Sequence, residues 1–129
     1  MTKSIHKINN RKLKSQVNVC KPTDCQNIRK YMALWDTGAG ESFITENVIS
    51  DLELTSTGNT VTYVDANGNE TISERYSCYI QIVDHDKTYT AELAKLSYPK
   101  DGCNVLIGMD IIEQLKLNLD KGFFQIEIE

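Results

Sequence analysis

Two short stretches carry residue types arranged for chemistry. The first is Trp35-Asp36-Thr37-Gly38-Ala39-Gly40, entered from the apolar run Tyr31-Met32-Ala33-Leu34-Trp35 and followed by Phe43 and Ile44. A carboxylate at the end of a buried strand is costly unless it is hydrogen-bonded or shares a proton. Asp36 is therefore expected at the lip of a cleft, held there for acid–base work, with Thr37 supplying a short hydroxyl and Gly38 and Gly40 allowing a tight loop and close approach of a ligand. The second stretch is Asn104-Val105-Leu106-Ile107-Gly108-Met109-Asp110-Ile111-Ile112, a buried apolar strand, a glycine and the start of a short helix. Neither stretch contains a histidine or a cysteine, so a carboxylate mechanism is the chemistry on offer.

The elements that must position these stretches are nearly all strands. Leu13 and Gln16-Val17-Asn18-Val19 begin an alternation that ends at the turn Lys21-Pro22-Thr23-Asp24, and a second strand from about Gln26 to Trp35 delivers Asp36 to its loop. Thr45 is placed to cap a short helical turn with Glu46 in its first turn. Thr60 to Val64 and Thr71 to Ser73 flank Asp65-Ala66-Asn67-Gly68-Asn69-Glu70, and Asn-Gly between two β-rich runs is the strongest short-range hairpin signal. That hairpin is polar at its tip and poor in anchoring apolar residues, so it is expected to move. Tyr76 to Val83 and Lys87 to Leu93 make a second hairpin around Asp84-His85-Asp86. Asp110 is placed to cap a helix over Ile111 to Leu115, and Phe123 to Ile128 alternates as a terminal strand. An all-β domain over residues 13–129 follows, preceded by a basic, flexible arm over residues 1–12 in which no period is visible.

The order of these features resembles that of retropepsin-like (retroviral-type) aspartic proteases: Asp36-Thr37-Gly38-Ala39, a hairpin about thirty residues later, and Leu106-Ile107-Gly108 before a short helix. The Gly-Met-Asp that ends the last motif is more like the bacterial and retrotransposon relatives than the viral enzymes. The resemblance implies a closed acid-protease β-barrel with one short C-terminal helix, and an aspartic endopeptidase needing no metal or other cofactor. The chain has one Asp-Thr-Gly, so the family's aspartate pair implies a homodimer in which Asp36 faces Asp36 of a second identical chain. By position, Asp36 is the catalytic residue, and Thr37 and Gly38 support the site. Gly38 and Ala39, the hairpin-tip residues Ala66, Asn67 and Gly68, and the wall residues Leu106 and Ile107 contact a polypeptide substrate. Gly40 stands where retroviral enzymes commonly carry an aspartate, and the hairpin tip lacks their glycine and isoleucine run. Those departures motivate an alternative, a retropepsin-like dimer that binds peptides with weak or no catalysis.

Other readings fail on the residues. Asp65-Ala66-Asn67-Gly68-Asn69-Glu70 starts like a calcium loop but has Glu70 where glycine is needed. Gly40-Glu41-Ser42-Phe43 lacks the second glycine of a nucleophile elbow. Cys20 and Cys25 would suit half a zinc site, yet Cys78 and Cys103 offer no matching pair, so free or buried thiols are expected. His6 and His85, in a basic segment and a turn, read as solvated side chains.

The 129 residues, 40% hydrophobic and 25% charged, suit one globular domain with a core. No apolar run approaches the ~20 residues of a membrane helix and the N-terminus has no secretory centre, so a cytoplasmic protein without membrane contact is expected. The net charge of -4 conceals a basic start: residues 1–35 hold eight Lys or Arg against one acid, Asp24. That segment carries no aromatic residue before Tyr31 for base stacking, and a solvated basic arm is expected in preference to a nucleic-acid contact.

Overall fold

A computed structural model describes residues 2–64 and 67–128 of the chain. The described elements are, in order, strands β1 (Thr2–Lys7), β2 (Lys14–Lys21), β3 (Asp24–Trp35) and β4 (Phe43–Thr45), helix α1 (Glu46–Leu52), strands β5 (Ser56–Val64), β6 (Glu70–Ile82), β7 (Thr88–Leu96) and β8 (Val105–Ile107), helix α2 (Met109–Ile112), and strands β9 (Lys116–Asp120) and β10 (Phe123–Ile128).

Six strands close on themselves. β2 pairs with β3, β3 runs parallel to β8, β8 pairs with β4, β4 runs parallel to β7, β7 pairs with β6, and β6 returns to β2. β6 is long enough, at 13 residues, to serve two neighbours along the edge opposite β7: Tyr79–Ile82 close the ring against β2, while Glu70–Tyr76 carry β5 outward as a projecting hairpin. The closed all-β fold implied by the resemblance is thus present. Its interior follows from the alternation of β6, where Tyr76, Cys78, Ile80 and Ile82 point inward, meeting Val17, Val19, Trp35, Ile44 and Leu93. Fully burying each large aliphatic side chain contributes about 1.5–3 kcal/mol, which is what holds a sheet of this curvature closed.

A second sheet, ordered β1-β10-β9, closes the bottom of the core with Phe124, Ile126 and Ile128. The β9–β10 turn places both Lys121 and Gly122 at positive φ, 45° and 89°, the geometry of a tight hairpin whose twist matches its strands.

Several expectations are corrected. The segment expected to be a free basic arm contains β1, paired with β10 from Thr2↔Ile128 to Lys7↔Phe123. His85 is not solvated: it is 2% exposed, and its Nε2 is 2.8 Å from Ser4 Oγ, which is 2.9 Å from His6 Nε2. The runs expected as separate strands at Thr71–Ser73 and Tyr76–Val83 are one strand, β6. Helix α1 occupies the turn expected after Thr45, although the Thr45 hydroxyl bonds Asn104 Oδ1 at 2.7 Å instead of capping it. α2 starts earlier than expected, with Gly108 at its N-cap, because the Gly108 carbonyl accepts from the Ile111 and Ile112 amides, while the Asp110 carboxylate accepts from Ser42 as well as from the Ile111 amide. All four cysteines are free thiols. Among the described residues no helix is long and apolar enough to cross a membrane.

Candidate functional site

Asp36 leaves β3 where that strand lies parallel to β8, with Trp35 beside Ile107. Its amide donates to the Ile107 carbonyl at 2.9 Å, and the Trp35 indole beneath it donates to the buried Ser15 hydroxyl at 2.8 Å. The chain then turns: the Ala39 amide donates to the Asp36 carbonyl at 3.1 Å, and the Gly38 amide donates to Asp36 Oδ1 at 2.9 Å. This is the self-capping geometry expected of an Asp in a tight turn. A Cβ on Gly38 would stand 3.2 Å from the same oxygen, so a side chain there would press on the carboxylate.

The loop is locked from behind. A Cβ on Gly108 would lie 2.3 Å from the Glu41 carbonyl oxygen and 2.9 Å from that of Ala39, so only glycine permits this crossing. The fully buried Ser42 hydroxyl donates to Asp110 Oδ1 at 2.6 Å and accepts from the Gly108 amide at 2.9 Å, while the Ser42 amide donates to Asp110 Oδ2 at 3.1 Å. The Met109 amide donates to the Ala39 carbonyl at 2.8 Å. The two motifs singled out in the sequence are therefore one knot, with Asp36 at its exposed end.

Asp36 Oδ2 points away from the turn and meets Lys100 Nζ at 3.3 Å; the two side chains are 28% and 52% exposed. Such a half-exposed pair is weak, worth about 0–1 kcal/mol. Glu41, the other acid lining the site among the described residues, is held by Arg75 from β6. Cys103, packed with Leu34 and Leu106 behind the site, is 2% exposed, and burial pushes its thiol up from the usual range, so it is a packing group.

Above the knot opens a cleft of about 810 Å³, bounded by loop 36–43, the β5–β6 hairpin and the β7–β8 connection. Asp36, Gly38, Ala39, Asn67 and Leu106 all line it. Gly68, at φ 82°, is next to Asn67 on the hairpin but outside the lining. Thr37 is exposed beside the cleft, and its hydroxyl makes no hydrogen bond among the described residues. Ile107 is corrected: it is fully buried in the main core, because alternation along β8 sends Leu106 to the cleft and its successor the other way. Ala66 lies outside the described residues.

Sequence reasoning missed Lys100, Ser42, Tyr63 and Phe43. Tyr63 and Phe43 meet edge to face at 5.1 Å and wall the cleft. A polar residue next to an apolar run, as Ser42 is, was the only local signal available for any of them. Among the described residues no three His, Cys, Asp or Glu side chains converge as metal ligands.

Residues 26–114 match a family described as "gag-polyprotein putative aspartyl protease". No curated protein matches the chain. Among solved structures, the chain is similar to a retropepsin-like aspartic protease from Rickettsia conorii, with a TM-score of 0.69, 20% identity, and 98% of this chain and 90% of that one covered. At that identity the likeness is one of fold.

Proposed function

The chain belongs to the gag-polyprotein aspartyl protease family, and from that premise we propose that it is an aspartic endopeptidase whose active unit is a homodimer with Asp36 of each chain as the catalytic pair. The single observation that carries this reading is the disposition of Asp36: one carboxylate oxygen is tied down by Gly38, while the other is directed at a cleft large enough for an extended peptide. Among the described residues, the other carboxyl lining the cleft, Glu41, is engaged by Arg75 and not turned to Asp36.

Two carboxylates about 3 Å apart cannot both ionise cheaply, so the pair holds one shared proton. The ionised member takes a proton from a bound water as the water oxygen attacks the scissile carbonyl carbon; the protonated member donates to the carbonyl oxygen. The tetrahedral intermediate collapses as a proton passes to the amine nitrogen, the C–N bond breaks, and the pair returns to its starting state. In this reading the Gly38 carbonyl and Ala39 hold substrate backbone, Thr37 bonds across to the partner loop, and the β5–β6 hairpin closes as a flap. The exposure of Val64 and Ile72 on that hairpin, 65% and 74%, supports the flap, since both gain by covering a bound chain.

The test compares the wild type with Asp36→Asn on a diverse peptide library from about pH 4 to 7, reading new termini by mass spectrometry. Cleavage by the wild type alone is expected, with both proteins equally folded. Equal cleavage by both would overturn the assignment of Asp36, and binding without cleavage by either would leave a peptide-binding module in its place.

A further inference from the structure

On the side of the molecule served by the β2–β3 hairpin, two sulfurs approach each other. Cys20 Sγ lies 2.8 Å from Cys25 Sγ, inside the van der Waals separation of two sulfur atoms. The two cysteines flank the end of the hairpin, where Lys21 pairs with Asp24 across the connecting Pro22 and Thr23. The register between the strands breaks beside this pair, between Val19 and Lys21, which gives the backbone local freedom to adjust. Cys25 is exposed and Cys20 is 6% exposed. Both cysteines line a separate small pocket of about 130 Å³, together with Ile28 and Tyr79.

We propose that Cys20 and Cys25 form a reversible thiol-oxidation site, a dithiol that small hydroperoxides convert to an intrachain disulfide. Neither residue lines the cleft at Asp36, and the inference does not depend on the protease reading. The exposed thiol reacts first: Cys25, as thiolate, attacks one oxygen of hydrogen peroxide, the O–O bond breaks, and the departing hydroxide takes a proton to become water. Cys25 is then a sulfenic acid. The Cys20 sulfur attacks the Cys25 sulfur, the S–S bond forms, the S–O bond breaks, and the hydroxyl leaves with the Cys20 proton as a second water. Two thiols lose two electrons and one peroxide gains them. Burial, and then the hydrogen bond to Cys25, push the Cys20 thiol up to about 12, which fits a resolving partner and not the group that meets the oxidant. Cys20 also pairs with Tyr79 of β6, so the bond would tie the hairpin end to the seam that closes the ring. The loop closed is so short that stabilisation is small. The product is a chemical mark, reversed by a small dithiol.

The full chain gives a direct reading. Trypsin leaves Cys20 and Cys25 in one peptide, residues 15–29, because Lys21 precedes Pro22. After treatment with hydrogen peroxide and alkylation under denaturing conditions, the free thiols should fall from four to two. That peptide should lose two hydrogens, be restored by dithiothreitol, and leave Cys78 and Cys103 alkylated. In Cys20→Ser, Cys25 should accumulate as a dimedone-trapped sulfenic acid that the wild type does not retain. Retention of four thiols, a link from either cysteine to Cys78 or to a second chain, or equal trapping in both proteins would overturn the proposal.

Discussion

The two oxygens of Asp36 have different surroundings: Oδ1 is fixed by its own loop, and Oδ2 meets Lys100, whose tether is the turn at Asp101 and Gly102. If the pair partner and substrate take the place of Lys100 when the site assembles, Lys100→Gln should change kcat/KM by less than about tenfold and stability by less than about 1 kcal/mol. Peptidase assays and urea unfolding of the variant check this; a loss as deep as that of Asp36→Asn would make Lys100 part of the chemistry. The glycines of the knot make a sharper contrast. Gly108→Ala pushes a methyl into the Glu41 carbonyl at 2.3 Å and should cost about 3 kcal/mol with loss of activity, whereas Gly40, whose added Cβ meets nothing within 4 Å, should accept Ala almost freely. Thermal denaturation of both variants is the measurement. Asp36 and Gly108 were legible in the sequence because each sits in a run of residues, Asp36-Thr37-Gly38-Ala39 and Leu106-Ile107-Gly108, whose pattern is visible along the chain even though Gly108 meets its crossing partners Ala39 and Glu41 far away in sequence. Lys100 was not, because its partner is 64 residues away and a lysine beside a turn carries no local mark.

The terminal sheet shows why some elements escape a periodic reading. The face of β1 that turns toward Phe124, Ile126 and Ile128 presents His6, Ser4 and Thr2, while its one large apolar residue, Ile5, is 66% exposed. The apolar side of this sheet belongs to β10, so β1 reads as polar although it is built in. Its polar side chains are spent on contacts the chain makes far from itself: His6 stacks on Phe124 at 5.0 Å, and Ser4 bridges His6 to His85. The groups around His85 are Ser4 and His6 on β1, Asp84 and Asp86 in its own turn, and Gln81 Nε2, which donates to the His85 carbonyl at 2.8 Å. Burial lowers the His85 imidazole below 6.5, with Asp84 and Asp86 opposing that shift, and burial likewise lowers His6. Between the unfolded value and the lower folded one the unfolded chain binds more protons, so stability is fully present above about pH 6.5 and falls as pH drops through that window. The unfolding free energies of wild type and His85→Gln, measured from about pH 7.5 to 5, should converge on acidification, by at most about 1.4 kcal/mol per pH unit. A gap that stays constant or widens would show that His85 is not held neutral.

For the molecule as a whole, the closed ring and the knot supply a rigid mount for one carboxylate, and the reading advanced for it needs two. β10 has both of its edges occupied by β1 and β9 of its own chain, so backbone pairing of this sheet with a partner would have to use the outer edge of β1 or β9, or else exchange one of them. The requirement for two chains can be separated from every question of which surface they use. When wild type is mixed with a growing excess of Asp36→Asn and the chains are allowed to exchange, the fraction of dimers carrying two intact carboxyls falls as the square of the wild-type fraction. Activity per wild-type chain should then fall in proportion to that fraction, at constant total protein. A protein that cleaves as a monomer would show no loss, because its wild-type molecules never meet the variant. Diluting the wild type alone gives an independent check, since specific activity should decline once the concentration passes below the dimer dissociation constant and recover on reconcentration. Constant specific activity together with insensitivity to the Asn variant would place the whole catalytic apparatus in one chain, and would require an acid other than a second Asp36.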